Sequence, residues 1–224
     1  MTRYRWYRFQ LPSDYPSLPS VIAKQPLNPN AKQGFTRIDG SLGSPIYRYL
    51  WRSKIVVTEF DDRGVPSYQE VDTVNFTDFG IVSVGLESFL RIENPGRSIR
   101  DLLNAIEFLV GLGFTCKPVT FERNRPTAVF ESIEAVKLIG LKVIDAIVGK
   151  DLVARMEFAS KEGITPDKLI VLEGIPHKIE SASYELIYEG IKGQLTFASN
   201  GAVKVSGQLA PKLIHLVEKD LITL

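Results

Sequence analysis

The chain has 224 residues, 44% hydrophobic and 24% charged, with a formal net charge of +1. That length and apolar content fit one large domain or two packed units of about 100 residues each, and exclude global disorder. No apolar run approaches the roughly 18 residues that span a bilayer, and MTRYRWYRFQ carries no apolar signal-like stretch, so the cytoplasm is the expected compartment. A single cysteine, Cys116, rules out an intramolecular disulfide and a cysteine-built zinc site. Its apolar setting in GLGFTC reads as core.

Charge is unevenly spread. Residues 1–125 hold 12 of the 13 arginines, leaving only Arg155 beyond them. Guanidinium groups fork onto phosphate and stack on rings, so the first half reads as the anion-contacting half, or as a solvated surface with compositional drift.

In chain order, residues 2–10 read as a strand with interleaved aromatics and arginines. Alternation places Arg3, Arg5, Tyr7 and Phe9 on one face and Tyr4, Trp6 and Arg8 on the other. Residues 11–45 carry six prolines and read as an extended arm or wrapping loop. Strands are predicted at 46–60, 68–77, 80–86 and 88–93, with DDRGVPS as a turn. Helical spacing of Ile99, Leu102, Leu103, Ile106, Leu109 and Val110 predicts a helix starting near Ser98, with Asp101 completing a capping-box variant and Gly111 or Gly113 ending it. In the second half, a strand at 135–144 is followed by a helix from Asp151 to Gly163. Strands at 168–174, 183–190, 192–199 and 202–206 come next, with Asn200 and Gly201 as a tight turn, then a helix over about 209–222. The stretch 145–165 also reads as two strands.

Two imperfect copies of a sheet-plus-helix pattern stand out: Phe197, Ala198, Ser199, Val203, Val205 and Gly207 late in the chain, and Phe76, Gly80, Val82 and Val84 earlier. The later copy resembles one repeat of the TATA-box-binding protein family. The interval from Asp151 and Leu152 to Thr165 and Pro166, and the joining segment with Gly113, Phe114, Lys117 and Phe121, are similar to that family too. The likeness covers about residues 110–222. It implies an α+β fold of two tandem saddle-like units, antiparallel sheets with helices on one face, divided as an arm (1–45), a first unit (46–124) and a second (125–224). It also implies a sheet face laid on the DNA minor groove, with Phe197 at a wedge position and Leu169 at its companion. The family's minor-groove asparagine has no counterpart in Leu138, Ile139, Gly140 and Leu141. Read from burial tendencies alone, Phe197 is a core residue under the helices.

A second candidate surface comes from RYRWYRF at 3–9 and YRYLWR at 47–52. Arg3, Arg5, Arg48 and Arg52 would neutralise phosphate while Trp6, Tyr47, Tyr49 and Trp51 stack on bases. Cross-strand and cation–π contacts within a sheet explain the same residues. The loop NPGRS adds Arg97 and Arg100 beside a helix N-terminus, where ordinary capping by Ser98 is the competing account.

Catalytic patterns are poor. His177 and His215 are isolated, and no phosphate loop or nucleophile elbow occurs. Glu59, Asp61, Asp62, Glu70 and Asp72 cluster around one hairpin, where Mg²⁺ binding competes with simple solvation. The sequence therefore points away from an enzyme, with no cofactor expected. The expected partner is DNA or RNA bound without chemistry, the alternative being a scaffold or regulatory subunit that docks another protein.

Overall fold

The computed structural model describes every residue except 16, 39, 41–44, 97, 122–127 and 224. The chain is an α+β protein dominated by antiparallel sheet. Its strands are β1 (Thr2–Gln10), β2 (Gln33–Ile38), β3 (Ile46–Phe60), β4 (Pro66–Val84), β5 (Glu87–Glu93), β6 (Thr115–Pro118), β7 (Ala135–Gly149), β8 (Leu152–Ala159), β9 (Lys178–Tyr188), β10 (Ile191–Ala198) and β11 (Ala202–Val205). The helices are α1 (Leu18–Ile22), α2 (Arg100–Val110), α3 (Ala128–Glu131) and α4 (Ala210–Lys219). Among the described residues no helix is long and apolar enough to cross a membrane.

Two compact units are drawn from interleaved segments. Unit 1 comprises Met1–Gln10, Val82–Asn94 and Cys116–Leu224, and unit 2 comprises Leu11–Ile81 and Pro95–Thr115.

In unit 1 the strand order is β5-β1-β11-β10-β9-β7-β8, with β6 also paired to β1. Alternation sorts the side chains cleanly. Leu195, Phe197, Val203, Val205, Ala182 and Leu186 are buried on one face, and this is the face that carries α3 and α4. The stripe Leu213, Ile214, Val217 and Leu221 is fully buried as well. On the same face Trp6 and Arg91 are register partners, and Glu218 of α4 reaches down to both: its Oε1 accepts from Trp6 Nε1 at 3.1 Å and from Arg91 Nη1 at 2.9 Å. Arg91 Nη2 lies 3.7 Å from Glu93. Burial, with Glu93 nearby, pushes the Tyr4 phenol beside this cluster up to about 12.

In unit 2, β2, β3 and β4 form one meander. Tyr49 and Phe79 are buried on its inner side with Phe35, whose ring lies 5.0 Å from Tyr49 and 6.2 Å from Phe79. Beyond Trp51, β3 has no β2 partner, and β3 and β4 run on as a two-stranded ribbon to the turn at Asp61–Val65. Asp61 Oδ1 accepts from the amides of Arg63 and Val65, which closes that turn.

Several expected elements are corrected. Residues 152–159 are strand β8, because Ala154, Met156 and Phe158 alternate toward the core and the Lys150–Asp151 turn folds them back on β7. The order strand, helix, four strands, helix is therefore absent from the second half. Residues 168–174 are not a strand: they lie in short 3₁₀ turns at Pro166–Lys168 and Ile170–Leu172, which cap the cluster of Leu141, Val143, Ala146 and Ala182. The proline-rich arm contains α1 and β2. Strands 68–77 and 80–86 are one strand, β4. Helix α2 starts at Arg100 without the expected capping box: its N-cap is Ile99, and Ser98 Oγ accepts from the Arg100 amide at 3.0 Å.

Burial pushes the Cys116 thiol up to about 11. At pH 8 only about a thousandth of it is thiolate, against about a quarter for a free cysteine. Native-state labelling with a thiol reagent is therefore expected to run at least a hundredfold slower than labelling in urea, and equal rates would contradict this burial.

Candidate nucleic-acid interface

From β11 to β8 the other face of the unit 1 sheet is solvent-accessible, whereas along β1 and β5 the same face is buried at Tyr7, Phe9, Leu90 and Ile92. Its rows follow from the register. One row runs Arg3, Lys204, Thr196, Ser183, Gly140 and Ala159 across β1, β11, β10, β9, β7 and β8. In the next, Ala198 pairs with Ser181, Ser181 with Lys142 and Lys142 with Glu157, and Arg5 pairs with Ala202 on the same face. A third aligns Gln194, Glu185 and Lys137, with Lys192 two residues along β10 from Gln194.

The floor of this face is built from small residues. Thr196 and Ser183 bond to each other through their hydroxyls at 2.9 Å. A methyl group added at Gly140 would lie 3.3 Å from Ser183 Cβ, so the middle of the floor stays low. Cations stand at its margins. Arg3 and Lys204 face each other directly across β1 and β11. At the other margin a cleft of about 690 Å³ is lined by Lys137, Lys161, Glu185, Lys192 and Gln194. There Glu185 accepts from Lys192 at 3.0 Å and Lys137 at 3.1 Å, and these two bonds hold its carboxyl below its ordinary range. Lys142 pairs with Glu157 at 3.0 Å. Among the described residues Arg3, Arg5, Lys137, Lys142, Arg155, Lys192 and Lys204 thus share this face with Glu157, Glu180 and Glu185, Arg155 being paired with Glu180.

The residues singled out in the sequence separate. Arg3 stands exposed on the open face, and Arg5 lies half-buried at its border beside Ile92, its guanidinium 5.3 Å from the Tyr7 ring. Trp6 is 0% exposed and Phe197 1%, both on the helix-covered face, so neither stacks on a base nor wedges a step. Phe197 packs instead against Phe121 and Phe130. In unit 2, Tyr49 is buried and donates to Gln33 at 2.7 Å, Trp51 stacks on Tyr49 and Tyr47 on Phe79. Arg48 makes a two-pronged bond to Asp78 at 2.7 and 2.8 Å and lies 4.4 Å from the Phe76 ring centre, which accounts for its charge within the sheet. Arg52 is exposed and donates to the Pro29 carbonyl. Arg100 is exposed at the start of α2, and Arg97 lies outside the described residues. Leu169 packs against the Leu141–Ala182 cluster. The acids Glu59 to Asp72 are strung along the β3–β4 ribbon, with Glu70 bound to Lys54 at 2.9 Å. Among the described residues no three His, Cys, Asp or Glu side chains converge as a metal site.

The lysines on the open face were not singled out in the sequence. Their signal is period two: Lys192, Gln194 and Thr196 alternate with Leu195 and Phe197, and Lys204 alternates with Val203 and Val205. No protein-family model matches the chain, and no curated protein sequence matches it significantly.

Proposed function

We propose that this chain binds nucleic acid without catalysis, through the open face of the unit 1 sheet. The observation that carries this reading is the Arg3–Lys204 pair set directly opposite across β1 and β11, beside a floor of small polar residues with further cations at its far margin. A flat, low, hydroxyl-bearing floor suits a sugar-phosphate backbone, to which Thr and Ser hydroxyls and Lys and Arg cations donate. It does not suit base stacking, since from β11 to β8 its floor carries no aromatic ring and Tyr7 on β1 is buried. The TATA-box-binding resemblance supplies the same mode, a sheet face turned toward the ligand with helices behind, but contact here is led by phosphate rather than by phenylalanine wedges.

Lys204→Glu is expected to weaken binding of a duplex oligonucleotide by tenfold or more and to lower the salt slope by about 1 or 2. Lys54→Glu, in the ribbon of unit 2, is expected to leave it unchanged. Equal loss from both variants would contradict the assignment to this face. A protein-docking role is the second reading, favoured by one observation: the β3–β4 ribbon exposes Val56, Phe60, Tyr68 and Val74, each more than half exposed.

A further inference from the structure

The β3–β4 ribbon is exposed on both faces from Lys54 to Asp72, and among the described residues both its edges there lack a strand partner. An isolated two-stranded ribbon is marginal in water, and natural edges are blunted by charge, proline or bulges. Here the two edges differ. The β4 edge, Pro66–Val74, has Pro66, Glu70 and Asp72 along it. The β3 edge, Ser53–Phe60, reads SKIVVTEF, with no proline, glycine or bulge, and with Ile55, Val56 and Val57 exposed.

Backbone parity determines which groups point out. Arg52 N–H donates to Lys32 O, away from β4, whereas Asp61 N–H donates to Val65 O across the ribbon. The outward-facing residues of β3 are therefore Lys54, Val56 and Thr58, whose amides and carbonyls are free to form a ladder.

We propose that this edge pairs antiparallel with the same edge of a second copy about a two-fold axis at Val56. In that register Val56 meets Val56, Lys54 meets Thr58 and Ile55 meets Val57, with no like charges opposed. The alternative self-pairing along β4, centred at Glu70, sets Glu70 against Glu70. Charge also favours the second copy as occupant. The ribbon tip carries Glu59, Asp61 and Asp62 with one cation, Arg63, and so stays net acidic, while its base carries Lys32 and Arg52, and antiparallel pairing lays each tip beside the other copy's base. Because the operation consumes the β3 edge and leaves only the charged, proline-bearing β4 edge, association stops at two chains.

The test is sedimentation equilibrium of the full chain over a concentration series, with circular dichroism confirming that each variant is folded. A reversible monomer–dimer equilibrium is expected. Val56→Pro removes the outward amide from both copies at the axis and is expected to weaken dimerisation about a hundredfold without altering the fold of either unit. In a Cys116→Ser background, Val56→Cys is expected to form an inter-chain disulfide on mild oxidation and Ile55→Cys is not, since only position 56 meets itself and the roughly 5.5 Å Cα separation of a hydrogen-bonded pair lies within disulfide range. A monomer at every concentration, open-ended association, or a dimer indifferent to Val56→Pro would each overturn the proposal. Because Val56 is on unit 2 and the proposed nucleic-acid face on unit 1, a failed dimer leaves the oligonucleotide result standing, and the reverse.

Discussion

Replacing Glu218 by leucine is expected to lower the stability of the chain by about 3 kcal/mol, equivalent to a fall in melting temperature of roughly 6–12 °C. Among the described residues Glu218 is the one carboxylate within hydrogen-bond distance of the Arg91 guanidinium, at 2.9 Å, and it also accepts from Trp6 at 3.1 Å. The Arg91 side chain is 2% exposed, so removing its counter-charge leaves a cation that water cannot reach, and Glu93 at 3.7 Å is too distant to replace the bond. The indole N–H loses its acceptor in the same step. The physical cause predicts a particular rescue. Arg91→Met combined with Glu218→Leu is expected to recover most of the loss, because a buried pair of charges replaced by apolar groups of similar volume is close to neutral. Glu218→Gln, which keeps an acceptor but not the charge, is expected to fall between wild type and leucine. A thermal denaturation series on the four proteins decides it. If the double variant is as unstable as Glu218→Leu, then packing under α4, and not the buried charge, is what Glu218 contributes.

Gly201→Ala is expected to have an effect of similar size by a different route. Gly201 sits in the turn between β10 and β11 at φ +82°, where a side chain costs about 1–2 kcal/mol. Its position is also crowded: a Cβ would lie 1.9 Å from the Val119 carbonyl oxygen and 2.8 Å from that carbonyl carbon. Segment 119–121 would have to move, although Val119 N–H is bound to Trp6 O and Phe121 N–H to Ser199 O, and Phe121 is 2% exposed. Overpacking of this kind adds a further 1–3 kcal/mol, so a total near 3 kcal/mol is expected. Gly64→Ala is the control. Its φ is +75°, but nothing lies within 4 Å of the added methyl, so only the conformational part should be lost. Equal destabilisation at both positions would mean that the contact with Val119 contributes nothing.

What could be read from the chain, and what could not, follows the range of the forces involved. The strand at 46–60 and the Asn200–Gly201 turn were legible because each is set by local alternation and turn chemistry. Segment 152–159 was not, since Leu152, Val153, Met156 and Ala159 satisfy a helical spacing while Ala154, Met156 and Phe158 satisfy a period of two. Only pairing with β7 decides between them. Residues 170–172 look like a strand by composition but sit in a 3₁₀ turn seated on the β7–β9 core. For the candidate interface, alternation along β1 correctly separated Arg3 and Arg5 from Tyr4 and Trp6. That Arg3 would face Lys204 is a matter of register between residues two hundred positions apart, which no local pattern encodes. The abundance of first-half arginines likewise does not tell which of them are engaged within the protein. Arg48 and Arg91 spend their charge on Asp78 and Glu218, whereas lysines from the second half complete the open face.

The most direct test of the central claim is the affinity of the full chain for a labelled duplex oligonucleotide across 50 to 300 mM salt, measured beside the Lys204→Glu/Lys142→Glu variant. The wild type is expected to show log affinity falling linearly with log salt, with a slope of about −3 to −5 set by the cations of the open face, and the variant a slope shallower by about 2. No binding at the lowest salt, or binding whose strength is independent of salt and of these two lysines, would contradict the account.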